Sequence, residues 1–314
     1  MGAPGSSSTS WRTSRISSTS DPPPAESGPT ATGPSTGDLL VGIARLIHPF
    51  PSILAALVTV AIAVAAGGEP SVVIRLGLAM LAIQFAIGAI NDAADAGTDG
   101  DAGRSKPIPA GVLSKGGATR VGAGCLVAGL GLAETVGPGV LGLAAVGAGV
   151  GIVYDLWLKG TPVSWLGFTL GIPVLPLFAW LGASGTIPGA ILVAAAVALP
   201  AGAALALANE LPDMELDATA GLSSASRSLG RRRAWAAGAL LQGVVAVSAT
   251  LGFAALGGRP GLWPALIGTL AVLALGVALG SGASVGRRRR GWEVQAVAIG
   301  LLAVVWLAAV PRQA

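Results

Sequence analysis

Nine predominantly apolar stretches, each close to the ~20 residues an α-helix needs to cross a bilayer, constrain this chain more than any other feature. They fall near residues 50–67, 71–90, 118–136, 138–157, 163–183, 187–208, 234–256, 262–281 and 292–310. Inside lipid no water meets a stray backbone N–H or C=O, so only helices and closed barrels can span it. The runs are continuous rather than alternating, which excludes a porin-like barrel. Charged residues make up 11% of the chain, against about 25% in soluble domains. Its 48 glycines fit helices that approach closely in lipid, where small residues make the interfaces. The expected fold is an all-α integral membrane protein, a bundle of about nine transmembrane helices occupying residues 39–314.

Residues 1–38 are rich in Ser, Thr, Pro and Gly with a Pro22-Pro23-Pro24 run, and carry too few large aliphatics to bury a core. They read as a disordered tail, and lack the apolar segment of a secretory signal. Cys125, the single cysteine, excludes an intrachain disulfide, and with His48 the lone histidine there is no Cys/His metal site. Cys125 reads as packing and His48, before Pro49, as a membrane-surface residue.

Lysine and arginine collect in alternate loops: Arg104, Lys106, Lys115, Arg120, Lys159, Arg227, Arg231 to Arg233 and Arg287 to Arg290 on one side, against Arg75, Arg259 and Arg312 on the other. The positive-inside rule then makes the N-terminus cytoplasmic, in a cell (inner) membrane. That bias also accounts for the net charge of +4 without any nucleic acid. Arg231 to Arg233 and Arg287 to Arg290 read as topology signals and lipid-headgroup contacts.

Against this apolar background one pattern, Asn-acid-x-x-Asp-x-x-x-Asp, occurs twice: Asn91, Asp92, Asp95 and Asp99, then Asn209, Glu210, Asp213 and Asp217. On a helix the i, i+3, i+7 carboxylates share one face, and each set lies where an apolar helix ends on the cytoplasmic side. Like charges so gathered need cations, and an all-oxygen set suits Mg²⁺, which takes one or two carboxylates and completes its shell with substrate phosphates. Arg104 and Lys106 follow the first set and Arg227 the second, and could clamp a departing diphosphate. An allylic isoprenoid diphosphate is the natural electrophile, since its tail dissolves in an apolar groove.

These residues, with Lys106-Pro107-Ile108-Pro109-Ala110-Gly111 and the Tyr154-Asp155-x-x-x-Lys159 segment, resemble the UbiA superfamily of intramembrane prenyltransferases over essentially residues 40–310. The resemblance implies nine helices around a central cavity, and Mg²⁺-dependent transfer of a prenyl group from a polyprenyl diphosphate to a small aromatic or lipid acceptor in the bilayer. An aromatic quinone precursor leads; a phosphoribose acceptor or cyclisation of the prenyl chain are the alternatives within the family. Carried over by position, Asn91, Asp92, Asp95 and Asp99, with Asn209, Glu210, Asp213 and Asp217, become the metal set. Asp92, Asp95, Asp213 and Asp217 carry catalysis within it. Arg104, Lys106 and Arg227 become diphosphate ligands, and Tyr154 and Lys159 cavity residues. Arg45 resembles a position that meets a carboxylated acceptor.

Plainer roles compete. Asp155 is either a base toward the acceptor or a partner of Lys159. Asp101 and Glu215 fall off the shared face and read as solvated, Gln84 as a cavity residue or an interhelical hydrogen bond, and Trp157, Trp165 and Trp180 as interface anchors. A cation-coupled transporter would also explain paired intramembrane acids. Its carboxylates would lie near the midplane, however, rather than at helix ends followed by basic residues. A phosphoalcohol transferase would concentrate its aspartates in one region, and a scaffold would not need both motifs.

Overall fold

The computed structural model describes residue 2 and residues 35–101, 106–219 and 221–311. Most of the tail read from the sequence, together with Arg104 and Arg312, lies outside them, as does the side chain of Asp101. Every regular element among the described residues is helical. In chain order they are α1 (Thr36–Leu46), α2 (Pro49–Ala65), α3 (Pro70–Asp101), α4 (Lys115–Glu134), α5 (Pro138–Val153), α6 (Trp165–Gly171), α7 (Val174–Ser184) and α8 (Gly189–Glu210). They continue with α9 (Met214–Thr219), α10 (Ala225–Leu229), α11 (Arg231–Ala255), α12 (Trp263–Gly280) and α13 (Val285–Ala308). Eight spans among the described residues are long and apolar enough to cross a membrane, and a ninth arises when α1 and α2, bent by 56°, count as one. The protein is a multi-pass membrane protein.

Local signals explain the ends. Ser35 and Asp38 form a reciprocal capping box on α1, a helix absent from the span assignment. Pro49 and Pro138 occupy first turns, where no N–H is needed. Ser114 and Ser284 cap α4 and α13 by accepting from the backbone N–H of Gly117 and Arg287. The expected span 163–183 is one span, Trp165–Ser184, whose helix is interrupted at Pro173 between α6 and α7.

The bundle packs α3 on α4, α2 on α3, α8 on α11 and α12 on α13. Glycine permits the closest approaches: a Cβ on Gly202 of α8 would sit 2.3 Å from the Phe168 carbonyl oxygen of α6, and one on Gly291 of α13 2.5 Å from Gly280 N of α12. One apolar core joins Ile62, Ile191, Phe253, Leu266 and Trp306, and a second joins Leu76, Ile83, Val140 and Phe178. Outward faces carry exposed Val127, Leu240 and Leu251, as lipid contact demands. Trp180 departs from its expected role: it is 2% exposed, within the first core, whereas Trp157 and Trp165 are exposed.

Candidate active site

The helices enclose a cavity of about 1020 Å³. Its wall runs along α3 from Met80 to Asp99 and along α13 from Arg289 to Leu307, roughly 27 Å of each helix at ~1.5 Å per residue. Apolar residues such as Ile83, Leu175, Val197, Ile299 and Trp306 line most of it, and both acidic motifs share its polar end: Asn91, Asp95, Asp99, Asn209, Glu210, Asp213 and Asp217. Arg45, His48, Thr98, Lys106, Tyr154, Asp155 and Lys159 complete that end, and Gln84 lines the wall farther along α3. Asp92 and Arg227 are not part of the wall.

The first motif sits on unbroken helix, as its spacing predicts. Asn91, Asp95 and Asp99 stack at i, i+4, i+8 along the cavity face of α3, with Asp92 turned roughly 100° away from Asn91. Asp92 is 2% exposed and is held from two sides: its Oδ1 meets His48 Nε2 at 3.0 Å and Lys106 Nζ at 2.8 Å. The same Nζ reaches Asp99 Oδ2 at 2.8 Å. Burial disfavours the charge on Lys106, but the hydrogen bonds and charges of Asp92 and Asp99 more than offset it and hold the ammonium pKa above the ordinary lysine value. His48 is thus more than a surface residue. It adopts a left-handed φ of 46°, otherwise confined to glycine among the described residues, and that turn between α1 and α2 presents its ring to Asp92. A lone histidine before a proline carries no signal for this in sequence.

Lys159 pairs with Asp95, not with Asp155. The cause is local: α5 ends in a π-helical turn, Tyr154–Leu158, closed by Lys159 N–H donating to the Tyr154 carbonyl at 2.8 Å, which re-aims the lysine. Asp155 Oδ1 instead accepts from Asn91 Nδ2 at 2.7 Å, while Oδ2 is buried with no hydrogen-bond partner among the described residues. The Tyr154 ring packs edge-on to Phe168, centroids 5.8 Å apart.

The second motif departs from its predicted single helix face. Pro212 ends α8 at Glu210, and α9 starts afresh at Met214. Glu210 is committed to the protein: Oε1 accepts from Ser164 Oγ, and Oε2 from the Ser226 N–H at 2.8 Å. Asp213 is 43% exposed, with Arg289 Nη2 3.7 Å from its Oδ1. Arg227 donates from Nη1 to the Asp217 carbonyl at 3.3 Å, holding backbone rather than facing the cavity. Glu215 is not simply solvated, since its Oε2 lies 2.5 Å from Arg288 Nη2. Arg288 is correspondingly more than a topology signal, and its helical stripe with Gly291, Gln295, Ala298 and Leu302 was the sequence sign of its burial.

The sequence matches the UbiA prenyltransferase family over residues 52–290. The chain belongs to that family. It is accordingly a membrane prenyltransferase. An apo UbiA homolog from Aeropyrum pernix K1 superposes with a TM-score of 0.68 at 19% identity, covering 82% of this chain and 96% of its own. A UbiA homolog from Archaeoglobus fulgidus bound to DMAPP and Mg²⁺ gives 0.65 at 17% identity, with coverage of 84% and 99%. A structure described for digeranylgeranylglyceryl phosphate synthase gives 0.65 at 16% identity, with coverage of 87% and 99%. No curated protein sequence matches this UbiA chain.

The donor set fits Mg²⁺. It is all oxygen, and among the described residues no three His, Cys, Asp or Glu side chains form a group that could hold a metal unaided. A cation here would need phosphate oxygens to complete its shell, as Mg²⁺ does in substrate-bridged sites.

Proposed function

We propose that this protein transfers a prenyl group from a polyprenyl diphosphate to a small carboxylated aromatic acceptor of the quinone-precursor type. The carrying observation is the shared cavity, about 27 Å long by helical rise, with both acidic segments at one end and an apolar trough behind them. The A. fulgidus homolog bound to DMAPP and Mg²⁺ supports the same donor chemistry. Asp95, Asp99, Asp213 and Asp217, with Asn91 and Asn209, would hold Mg²⁺. That cation would neutralise the diphosphate as its bond to carbon breaks.

This chain's own groups divide the remaining work. Lys106 and Lys159, now paired with motif carboxylates, lie on the same wall and are placed to donate to diphosphate oxygens. Asp92 holds Lys106 and His48 instead of ligating a cation, and Glu210 fixes the second segment through Ser164 and Ser226. The allylic cation forms above the trough, near the Tyr154 and Phe168 rings. Asp155 Oδ2, buried on the wall with no hydrogen-bond partner among the described residues, accepts the proton the acceptor loses. Arg45, also on the wall, pairs with an acceptor carboxylate. The positive-inside distribution of Lys and Arg supports a cytoplasmic mouth in the cell membrane.

The test supplies membranes with labelled geranyl, farnesyl, geranylgeranyl and longer diphosphates beside a panel of aromatic, glycerol-phosphate and phosphoribose acceptors, and identifies products by mass. A prenylated aromatic acid is expected. Asp155→Asn should still release diphosphate but lose coupling to the acceptor. Product formed only on a lipid or sugar phosphate would overturn the aromatic assignment.

A further inference from the structure

Among the described residues the largest fully enclosed side chain is an arginine, Arg288 on α13, 1% exposed. Burying a guanidinium is costly unless its donors are matched, and here three segments supply acceptors. Nε donates to the Leu211 carbonyl at 2.9 Å, Nη1 to the Ala283 carbonyl at 2.8 Å and Nη2 to Glu215 Oε2 at 2.5 Å. Leu211 and Glu215 flank Asp213 across the break at Pro212, one at the end of α8 and the other in α9. From the next position on α13, Arg289 reaches toward Asp213 itself at 3.7 Å.

We propose that Arg288 is the positioning residue of the second acidic segment. By fastening both edges of the break to α13, it holds Asp213 on the cavity wall in the geometry that a diphosphate-bound cation needs. The clamp stands on the observed contacts, and its consequence for the cation rests on the prenyltransferase reading. Glu215, outside the acidic pattern's spacing, has its role here as the guanidinium's partner. Lysine cannot replace the clamp, because one ammonium does not reproduce a planar fork that serves three acceptors at fixed angles.

The test uses the full chain in nanodiscs with Cys125→Ser and Leu216→Cys, carrying a nitroxide on exposed α9. Arg288→Lys should mobilise the nitroxide spectrum without any metal. It should also weaken Mn²⁺ binding, read by paramagnetic resonance in the presence of inorganic diphosphate, by about tenfold, the lower end of the usual cost of losing a ligand's supporting partner. The KM for the acceptor should not change. Glu215→Ala should produce both effects in smaller degree, and decides the matter if Arg288→Lys does not fold. A rigid nitroxide, or unchanged Mn²⁺ affinity in whichever variant folds, overturns the proposal. Should both effects hold while the wild type transfers no prenyl group to anything, the clamp stands and the functional reading falls.

Discussion

The two acidic motifs share a spacing and a cavity, yet they are built in opposite ways. The first lies on continuous helix, and each acidic side chain is paired with a base: Asp92 and Asp99 with Lys106, Asp95 with Lys159. The second straddles a helix break. One of its carboxylates is tied to Ser164 and Ser226, and another is 43% exposed beside Arg289. Rigid helix brings its own carboxylates into line and must then neutralise them. Broken helix separates its carboxylates and must be held in place by other segments. The first half is therefore governed by charge balance, and the second by backbone shape.

The largest effect should come from disturbing that balance. Lys106→Ala would remove the ammonium that Asp92 and Asp99, both almost wholly buried, share, leaving Asp92 its contact with His48, and breaking a buried pair typically costs ~3–5 kcal/mol. Thermal unfolding in detergent should show that loss, and a melting point within a degree or two of wild type would disprove charge balance as the organiser of the first half. The raised lysine pKa fixes the sign of the pH dependence. A group whose folded pKa exceeds its unfolded value of 10.5 stabilises fully below that pH, and the benefit is lost only as pH rises through the higher folded value. Lys106 should therefore add no pH dependence to stability across the neutral range, where its contribution is fully present.

Next in size are the cavity carboxylates. Asp95→Asn and Asp213→Asn should each lower kcat by about 10²–10³-fold, the scale of one lost electrostatic contact to developing charge. The comparison predicts that they differ in stability: Asp95→Asn should unsettle Lys159, while Asp213→Asn, at a half-exposed site, should leave melting unchanged. Smallest is Pro212→Ala. Restoring the missing N–H lets α8 run on toward α9, so melting should hold or rise while the Mg²⁺ concentration for half-maximal turnover rises about tenfold. An unchanged Mg²⁺ requirement would show the break to be incidental.

The membrane spans, the continuous helix under the first motif and the meeting of Asn91 to Asp99 with Asn209 to Asp217 at one cavity were legible because they depend on hydropathy and helical period, which are local in sequence, although Asp92, expected on the shared face, lies off the wall. The second motif was misread as one helix although Pro212 stood inside it. The repeated spacing invited the same geometry for both, and backbone chemistry overruled it. The partner of Lys159 was hidden because a π-helical turn shifts register by one residue, and no composition signal marks it. His48 carried no sign of its site role and Arg288 only the sign of its burial, their partners being 44 and 73 positions away along the chain.

By itself the sequence determined that this chain must live in lipid as helices, and that its two acidic sets would stand where apolar helices end. Hydropathy fixes the spans, and the desolvation cost of charge keeps the carboxylates at the span ends. Only the tertiary structure decided which carboxylates remain on the wall, which are consumed as struts, and which arginine holds the second set in place. Those choices turn on pairings between distant segments, and in a low-dielectric interior each charge must find its partner in space rather than along the chain.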